Sequence, residues 1–250
     1  MLNATIVKRL DITKDLMILQ VKPDSGVPDF VPGQYVALAL GENGALEGTG
    51  KKPRLIRRAY SIGSPPHEKQ YIEFYVAVVA GGELTPKIAA LGEGDRIFVT
   101  PKITGTFTLA NVPQGSDLVL ISTGTGIAPY MSMLRTPETW VPGRRIRMVH
   151  GVRYTSDLAY SDELSTLSEA REDFEYYSIV SRPDSSWQGY KGYVQNLIKD
   201  KTIELDPARD HVFLCGNPAM ITDMEALLTG IGFREHTKRQ PGNMHLEKYW

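Results

Sequence analysis

The first hundred residues of the chain alternate apolar and polar positions in short segments that proline and glycine clusters separate. The segments most typical of strands read ATIVKRLDI, DLMILQVK, GQYVALAL, YIEFYVAVV and DRIFVT. An alternation with a period of two places apolar side chains on one face of a strand. Because no segment of helical period separates these runs, the pattern predicts an antiparallel barrel or sandwich over residues 1–110.

From about residue 111 the pattern changes, and apolar runs begin to alternate with segments of helical period. The runs SDLVLIST, RIRMVHG, FEYYSIVS and HVFLCG are typical of strands, and the segments between and after them, APYMSMLR, DLAYSDELSTLSEA, GYVQNLIK and PAMITDMEALLTGIG, are typical of helices. Strands that alternate with helices form parallel sheets through crossover connections. We therefore predict two domains, an antiparallel β-barrel or sandwich in residues 1–110 and an α/β domain with a parallel sheet in residues 111–250.

Composition narrows the class of protein further. The 250 residues are 42% hydrophobic and 23% charged, which is typical of a soluble globular protein. A formal net charge of -1 gives no support to nucleic acid as the main ligand. One cysteine and five scattered histidines lack the spacing of a metal site, so we expect no metal. No apolar run reaches membrane-spanning length and no signal peptide is evident, so we expect a cytoplasmic location.

A glycine-rich turn opens the α/β region. In STGTGIAP, residues 122–129, Gly124, Thr125 and Gly126 follow an apolar strand and precede a helix. Backbone N–H groups at such a turn bind pyrophosphate, although many α/β proteins turn tightly here without a ligand. The third glycine and the downstream acidic residue of the common dinucleotide fingerprint are missing.

Two arginines suggest which nucleotide this region binds. Arg153 follows the second predicted strand of the α/β region and Arg182 follows the third. Ligands of open α/β sheets bind at such carboxyl ends. Arginine at this position binds a 2'-phosphate, whereas a carboxylate would bind a ribose diol. Each arginine alone is better explained as a solvated loop charge, but the two together favour NADP(H).

The segment CGNPAM, residues 215–220, repeats the order strand, turn and helix, with Pro218 at the predicted helix start. Cys215 is either a buried core residue or a small side chain that contacts a reactive nicotinamide ring. The sequence alone leaves both interpretations open.

The barrel region carries its own ligand signals. In RRAYSIGSP, Arg58 and Tyr60 share one face of an extended segment, and a cation beside an aromatic ring suits the phosphates and flat ring of FAD. The alternative is an arginine that stacks on its own tyrosine for stability. In GGELTPKI, Gly82 precedes a short helix with Thr85 as the predicted N-cap, which suits a second pyrophosphate. The chain ends in HLEKYW, whose two aromatics predict either core packing or stacking on a flavin.

Taken together, these motifs closely resemble the bacterial ferredoxin (flavodoxin)–NADP+ reductases along essentially the whole chain. The resemblance rests on PGQY, RAYS, GELTP, GTGIAPYMSML, CGNPAM and EKYW, in that order. It implies a barrel that binds FAD, an α/β domain that binds NADP(H) as substrate, and a C-terminal tail that returns to the flavin.

The resemblance also implies site residues. For FAD they are Arg58, Ala59, Tyr60, Ser61, Glu73, Phe74, Tyr75, Val76, Gly82, Leu84, Thr85, Tyr249 and Trp250. For NADP(H) they are Thr123, Gly124, Thr125, Gly126, Arg153 and Arg182, to which we add Lys191 from this chain's own sequence. Near hydride and proton transfer they are Ser61, Cys215, Glu247 and Tyr249. We also expect Tyr249 or Trp250 to move aside during turnover.

One position departs from the family pattern. Close relatives carry an additional arginine where this chain reads YKGYV, with Tyr193 in that place. The departure removes one possible charged contact with a 2'-phosphate. Lys191 is the candidate to replace it, as a point charge without the guanidinium fork.

The implied reaction passes two electrons from NADPH to FAD as hydride and then one at a time to ferredoxin or flavodoxin, with the enzyme as a monomer. Because these partners are acidic, we expect a basic docking patch. Its candidates are Lys51, Lys52, Arg54, Arg57, Arg58, Arg144, Arg145 and Arg147. Tyr193 keeps open an NADH-dependent reductase of an oxygenase or of free flavin, and a non-catalytic flavin-binding module is a further alternative.

Overall fold

The computed structural model describes residues 2–41 and 55–248. The predictions for Lys51, Lys52, Arg54, Tyr249 and Trp250 therefore lie outside the described residues. The chain divides into two compact units. The first contains Met1–Thr108 and Ala128–Pro137, and the second contains Leu109–Ile127 and Glu138–Trp250.

The first unit is built on an antiparallel sheet, as the alternating pattern predicted. Its strands in the described residues are β1 (Ala4–Thr13), β2 (Leu16–Pro23), β3 (Tyr35–Gly41), β4 (Leu55–Ser61), β5 (Ile72–Ala77) and β6 (Arg96–Val99). They lie in the order β4-β3-β6-β1-β2-β5. The unit also contains the short helix α1 (Thr85–Ala89) and helix α2 (Ala128–Leu134).

The two ends of this sheet meet and close it into a barrel. Just after β4, the amide of Gly63 donates to the carbonyl of Glu73 in β5, at 2.8 Å. Closure satisfies edge groups that an open sheet leaves unpaired. The inner face is apolar and includes the fully buried Ile6, Leu19 and Phe74. The predicted β-barrel is therefore confirmed.

The second unit contains a parallel sheet with helical connections. Its strands in the described residues are β7 (Asp117–Thr123), β8 (Ile146–Val152), β9 (Phe174–Val180), β10 (Tyr190–Lys191), β11 (Asp210–Gly216) and β12 (Met244–Lys248). Its helices there are α3 (Ser161–Ala170), α4 (Val194–Lys199) and α5 (Pro218–Gly230). The strand order is β10-β9-β8-β7-β11-β12, and each pairing is parallel. The predicted α/β fold is confirmed.

The strand order creates a switch point beside β7. From β7 the chain adds β8, β9 and β10 on one side, then returns to place β11 on the other side. At such a reversal, connections leave the sheet in opposite directions and open a crevice at the carboxyl ends of the strands. The carboxyl ends of β7 and β11 are thus the expected ligand position in this unit.

One predicted helix needed correction, and two short strands were not predicted. The helix expected over residues 157–170 begins only at Ser161, because residues 155–157 form a 3-10 turn and Tyr160 has a left-handed φ of 63°. The sequence pattern did not identify the two-residue strand β10. The HLEKYW tail begins within a strand, since His245–Lys248 pair with β11 as part of β12.

Two arginines of the proposed docking patch are buried in the second unit. The guanidinium of Arg144 donates to the carbonyls of Ser116, Thr139 and Pro113 at 2.9, 3.2 and 3.1 Å. Arg147 pairs with Asp210 and is also buried. Neither side chain presents its charge to a protein partner. Within the described part of the chain, no helix is long and apolar enough to cross a membrane.

Three histidines stack on the face of β11 and β12 that turns away from α5. His211 Nδ1 lies 3.1 Å from His245 Nε2, and the His245 ring stacks on Phe213 at 4.1 Å between centroids. The His236 ring stacks on His245 at 4.9 Å. Burial, together with repulsion from His211 and His236, lowers the pKa of His245 to about 3.

This stack predicts acid sensitivity. Unfolded His245 takes up a proton near its ordinary pKa of 6.5, whereas the folded side chain stays neutral down to pH of about 3. Stability is therefore lost as pH falls below 6.5, by up to about 1.4 kcal/mol per pH unit for one such histidine. We expect His245→Gln to reduce the loss between pH 7 and pH 5, measured by urea unfolding. His67→Gln, at an exposed loop position, is the matched control. Equal slopes for all three proteins would contradict this account.

Candidate functional site

The glycine turn after β7 has an open backbone. Gly124 has a φ of +53°, and a Cβ placed on it meets no atom within 4 Å. Residues Gly124–Ile127 form a 3-10 turn that leads directly into α2. An open, left-handed glycine before a helix start leaves backbone N–H groups accessible to an anion. The turn therefore fits the predicted pyrophosphate.

The second glycine of this turn is needed for close packing. A Cβ on Gly126 would lie 2.3 Å from the carbonyl oxygen of Cys215, at the end of β11. A Cβ on Gly216 would lie equally close, 2.3 Å, to Thr123 Oγ1. Thr123 Oγ1 in turn accepts from the amide of Asn217 at 2.9 Å. The ends of β7 and β11 thus fit against each other through two positions that only glycine can occupy.

Helix α5 starts from this second turn. The side chain of Asn217 accepts from the amide of Ala219 at 2.8 Å and caps the helix. Pro218 occupies the first helical turn, as predicted. The amino end of a 13-residue helix therefore lies at the switch point beside the first turn.

Cys215 and Glu247 lie side by side at this edge of the sheet. They are register partners in β11 and β12, and Cys215 Sγ donates to Glu247 Oε2 at 3.7 Å. Cys215 is fully buried, whereas Glu247 is partly exposed. The two residues predicted near hydride and proton transfer are thus brought together. The contact itself was not predicted, because the sequence pattern did not identify β12 as a strand beside β11.

The predicted phosphate-binding cations lie at the carboxyl ends of three adjacent strands. The amide of Arg182 donates to the carbonyl of Arg153 at 2.8 Å, which ties the ends of β8 and β9 together. Lys191 pairs with Val180 in the β9–β10 ladder. Arg153, Arg182 and Lys191 have exposed side chains. The structure therefore places all three on one edge of the sheet.

Exposed tyrosines accompany these cations. Tyr193 follows Gly192, stands at the start of α4 and is 68% exposed. Tyr154 and Tyr190 are also exposed at this edge, at 46% and 44%. Sequence reasoning missed these last two, although each adjoins a predicted cation in the sequence. Aromatic faces beside positive charges suit a ligand with both a purine and a phosphate.

Strand β4 carries the predicted flavin-binding segment. The exposed Arg58 guanidinium donates to the Arg57 carbonyl at 2.8 Å and lies 3.6 Å from Glu83. Tyr60 is half-buried and makes an edge-to-face contact with Phe74, with centroids 6.4 Å apart. Burial raises the pKa of Tyr60 to about 12, so its hydroxyl remains a donor at neutral pH. Ser61 is buried and Ala59 is exposed.

The predicted lining residues of β5 divide into two sets. Phe74 and Val76 are completely buried in the barrel core, so any ligand contact at these positions would use backbone atoms. Glu73 and Tyr75 lie on the other face of the strand and are also buried. The Glu73 carboxylate accepts from Arg135 at 2.7 Å. The structure thus shows a partner for Glu73 that the sequence did not suggest.

The turn before α1 corrects one prediction. Thr85 is not the N-cap, because the helix begins at Thr85 and Leu84 precedes it without a side-chain cap. Thr85 Oγ1 accepts from the amide of Val79 at 2.9 Å and closes the loop onto the end of β5. Leu84 is buried in the barrel core. A Cβ on Gly82 would approach the Val79 carbonyl to 3.0 Å, so this loop is also closely packed.

Comparisons with known proteins agree with this geometry. Residues 3–107 match the family described as the oxidoreductase FAD-binding domain, and residues 120–226 match the oxidoreductase NAD-binding domain. The two domains define an oxidoreductase that uses FAD and a nicotinamide nucleotide.

Individual relatives identify the family within this class of oxidoreductases. The chain is 30% identical over 240 residues to the flavodoxin/ferredoxin–NADP reductase of Buchnera aphidicola subsp. Baizongia pistaciae, with 93% of each chain covered. It is 32% identical over 232 residues to the ferredoxin–NADP reductase of Pseudomonas aeruginosa, with 88% and 86% covered. The chain belongs to the ferredoxin/flavodoxin–NADP reductase family.

A solved structure supports the same assignment. The Neisseria gonorrhoeae ferredoxin NADP+ reductase, with bound FAD and NADP, superimposes with a TM-score of 0.84 at 27% identity, covering 99% and 98% of the two chains. The family resemblance, the fold class and the two nucleotide cofactors predicted from the sequence are therefore confirmed.

The packing at Gly126 leads to a prediction. We expect Gly126→Ala to displace the turn from the Cys215 carbonyl and to lower the free energy of unfolding by about 1–3 kcal/mol. The free energy of NADP+ binding should weaken by at least the same amount. Gly115→Ala is the matched control, since its Cβ would meet nothing within 4 Å. Thermal unfolding and NADP+ titration of both variants provide the measurements. Indistinguishable behaviour of the two variants would show that the close fit is unimportant.

Proposed function

We propose that this protein transfers electrons between NADP(H) and a ferredoxin or flavodoxin through bound FAD. The observation that carries the proposal is the Cys215–Glu247 pair beside the closely packed glycine turns at the switch point. Family relatives that match both domains are named for this reaction. When bound, FAD supplies the exchange between two-electron and one-electron chemistry.

On the flavin side, we assign the ring and phosphate contacts to β4 and to the turn before α1. Arg58 offers an exposed guanidinium for phosphate, and Tyr60 offers a ring and a protonated hydroxyl. Ser61, at the end of β4, offers a small hydroxyl for the reactive region of the ring. The backbone around Gly82 fits the pyrophosphate. The remaining predicted contacts from Tyr249 and Trp250 stay part of the proposal.

For NADP(H), we assign the pyrophosphate to the turn Thr123–Gly126 and the 2'-phosphate to Arg153 and Arg182. Arginine forks form paired hydrogen bonds with phosphate oxygens. Lys191 adds a third positive charge on the same edge, and Tyr193 offers a ring to the adenine. This arrangement supports NADP(H) over NADH without the additional arginine of close relatives.

Cys215 and Glu247 are proposed to prepare the reacting nicotinamide. Because Glu247 Oε2 accepts the thiol hydrogen, the orientation of Cys215 Sγ is fixed. Glu247 is partly exposed, so its carboxylate also exchanges protons with water. The pair thus places the Glu247 carboxylate as a proton carrier at this edge of the sheet, next to the buried Cys215 thiol.

The protein partner is proposed to be an acidic ferredoxin or flavodoxin. Arg57, unlike Arg58, is not assigned to FAD and has an exposed side chain on β4, and Arg145 is 58% exposed although it pairs with Asp117. Charge on these residues would steer an acidic partner, at a rate that falls with ionic strength. The buried Arg144 and Arg147 are not part of this surface.

The function is tested by the colour of the purified protein. We expect bound flavin that is bleached by NADPH under anaerobic conditions and recovers when oxidised ferredoxin or flavodoxin is added. NADH at equal concentration should bleach it much more slowly. Equal rates with both nucleotides would favour the NADH-dependent alternative that Tyr193 suggests, and no bleaching would favour a non-catalytic module.

The 2'-phosphate assignment is tested by Arg182→Gln. Loss of one charged phosphate contact is expected to raise KM for NADPH about tenfold to hundredfold and to leave KM for NADH nearly unchanged. Arg171→Gln is the matched control, because Arg171 precedes β9 at its other end, where it pairs with Asp173. An equal effect of Arg182→Gln on both nucleotides would argue against a 2'-phosphate contact.

A further inference from the structure

Helix α2 makes polar contacts with the segment that follows β4. Ser132 is fully buried, and its hydroxyl donates to the Ser64 carbonyl at 2.7 Å. One residue beyond the helix, Arg135 Nη1 donates to the Gly63 carbonyl at 3.1 Å. The same nitrogen donates to Glu73 Oε1 at 2.7 Å. Two successive carbonyls after β4 are therefore held from one helix.

Strand β5 holds the same segment from the other side. The amide of Glu73 donates to Ser64 Oγ at 3.1 Å, and the amide of Gly63 donates to the Glu73 carbonyl at 2.8 Å. The second carboxylate oxygen of Glu73 accepts from Gln20 Nε2 at 3.3 Å. We refer to Gly63, Ser64, Glu73, Ser132 and Arg135 as the Glu73 network.

This network fixes the chain just beyond a strand at the end of the sheet order. Among the described residues, the ladder partner of β4 is β3. Gly63 and Ser64 are two and three residues beyond Ser61. Their position therefore controls where the last residues of β4 point.

The Glu73–Arg135 pair is poorly explained by stability alone. The Glu73 side chain is only 7% exposed and that of Arg135 is 23% exposed, so both charges lose much of their hydration. The attraction within a buried pair is largely offset by this loss, and apolar replacements are often as stable. A buried pair does, however, define geometry strictly, because a misplaced partner leaves an uncompensated charge.

We propose that Arg135 is a positioning residue for the flavin. Through Glu73 and the Gly63 carbonyl, it fixes the end of β4 and with it the side chains of Tyr60 and Ser61. This inference rests on the proposed function in one respect, the assignment of Tyr60 and Ser61 to the flavin. Arg135 itself need not touch the cofactor.

The main test is Arg135→Gln, compared with Arg135→Lys. Apoprotein is titrated with FAD by quenching of flavin fluorescence, and the visible spectrum of the bound flavin is recorded. We expect Arg135→Gln to weaken FAD binding about tenfold and to shift the flavin absorption bands, because the Glu73 carboxylate loses its charged partner. Arg135→Lys restores the charge and should recover part of both effects.

A control separates positioning from general loss of stability. Arg147→Gln breaks a comparable buried pair, Arg147–Asp210, in the other unit. It should lower the free energy of unfolding without changing FAD affinity or the flavin spectrum. Ser132→Ala serves if Arg135→Gln does not fold, since it removes one hydrogen bond to the Ser64 carbonyl and should weaken FAD binding about threefold.

The outcomes are distinguishable. Wild-type protein that takes up no FAD would overturn the proposed function itself. Wild-type protein that binds FAD, with Arg135→Gln equal to it in affinity and spectrum, would overturn only the role of Arg135. Equal losses of affinity in Arg135→Gln and Arg147→Gln would also overturn that role, because they would reflect stability alone. If only Ser132→Ala is measurable, unchanged affinity and spectrum would count against the inference.

Discussion

The close fit between the ends of β7 and β11 is the constraint on which the proposed nucleotide site depends. Gly126 lies against the Cys215 carbonyl, and Gly216 lies against Thr123, at distances that exclude a Cβ on either glycine. The hydrogen bond from Asn217 to Thr123 Oγ1 fixes the two turns to each other. As a result, one open glycine, one helix start and the Cys215–Glu247 pair are held in a single arrangement at the switch point.

Buried polar groups give the first unit a comparable constraint. A barrel needs its end strands to meet, and here β4 and β5 meet through the Gly63 amide and the Glu73 carbonyl. The Glu73 carboxylate then requires a charged partner, which Arg135 supplies. The residues after β4 are thus fixed by the same contacts that close the sheet, so closure of the barrel and placement of Ser61 have a common physical cause.

The sequence predicted what periodicity and glycine placement control. Alternation identified β1, β2 and β5, and the Gly124–Gly126 turn was found because glycines followed an apolar strand. Contacts between distant segments were not predictable in this way. The burial of Arg144 and Arg147 depends on carbonyls and a carboxylate that are distant in the sequence. The Thr-Pro pattern predicts a helix cap at Thr85, whereas its hydroxyl accepts from the amide of Val79 in the preceding loop. Strand β12 was not predicted because its five residues are too few to show a clear alternation of apolar and polar positions.

The departure at Tyr193 from the family pattern bears on the proposed 2'-phosphate contacts. A 2'-phosphate requires positive charge at a defined sheet edge, and Arg153, Arg182 and Lys191 supply three charges there. Tyr193 carries an aromatic ring that is 68% exposed, and it follows Gly192, whose φ is 118°. A large exposed ring gains the free energy of burial only when a ligand packs against it, and a purine can stack on such a ring. Under the proposed assignment, the Tyr193 ring adds a contact with the adenine where an arginine would add a contact with the phosphate. Since NADH also has an adenine, we propose that discrimination between the two nucleotides depends chiefly on Arg153 and Arg182.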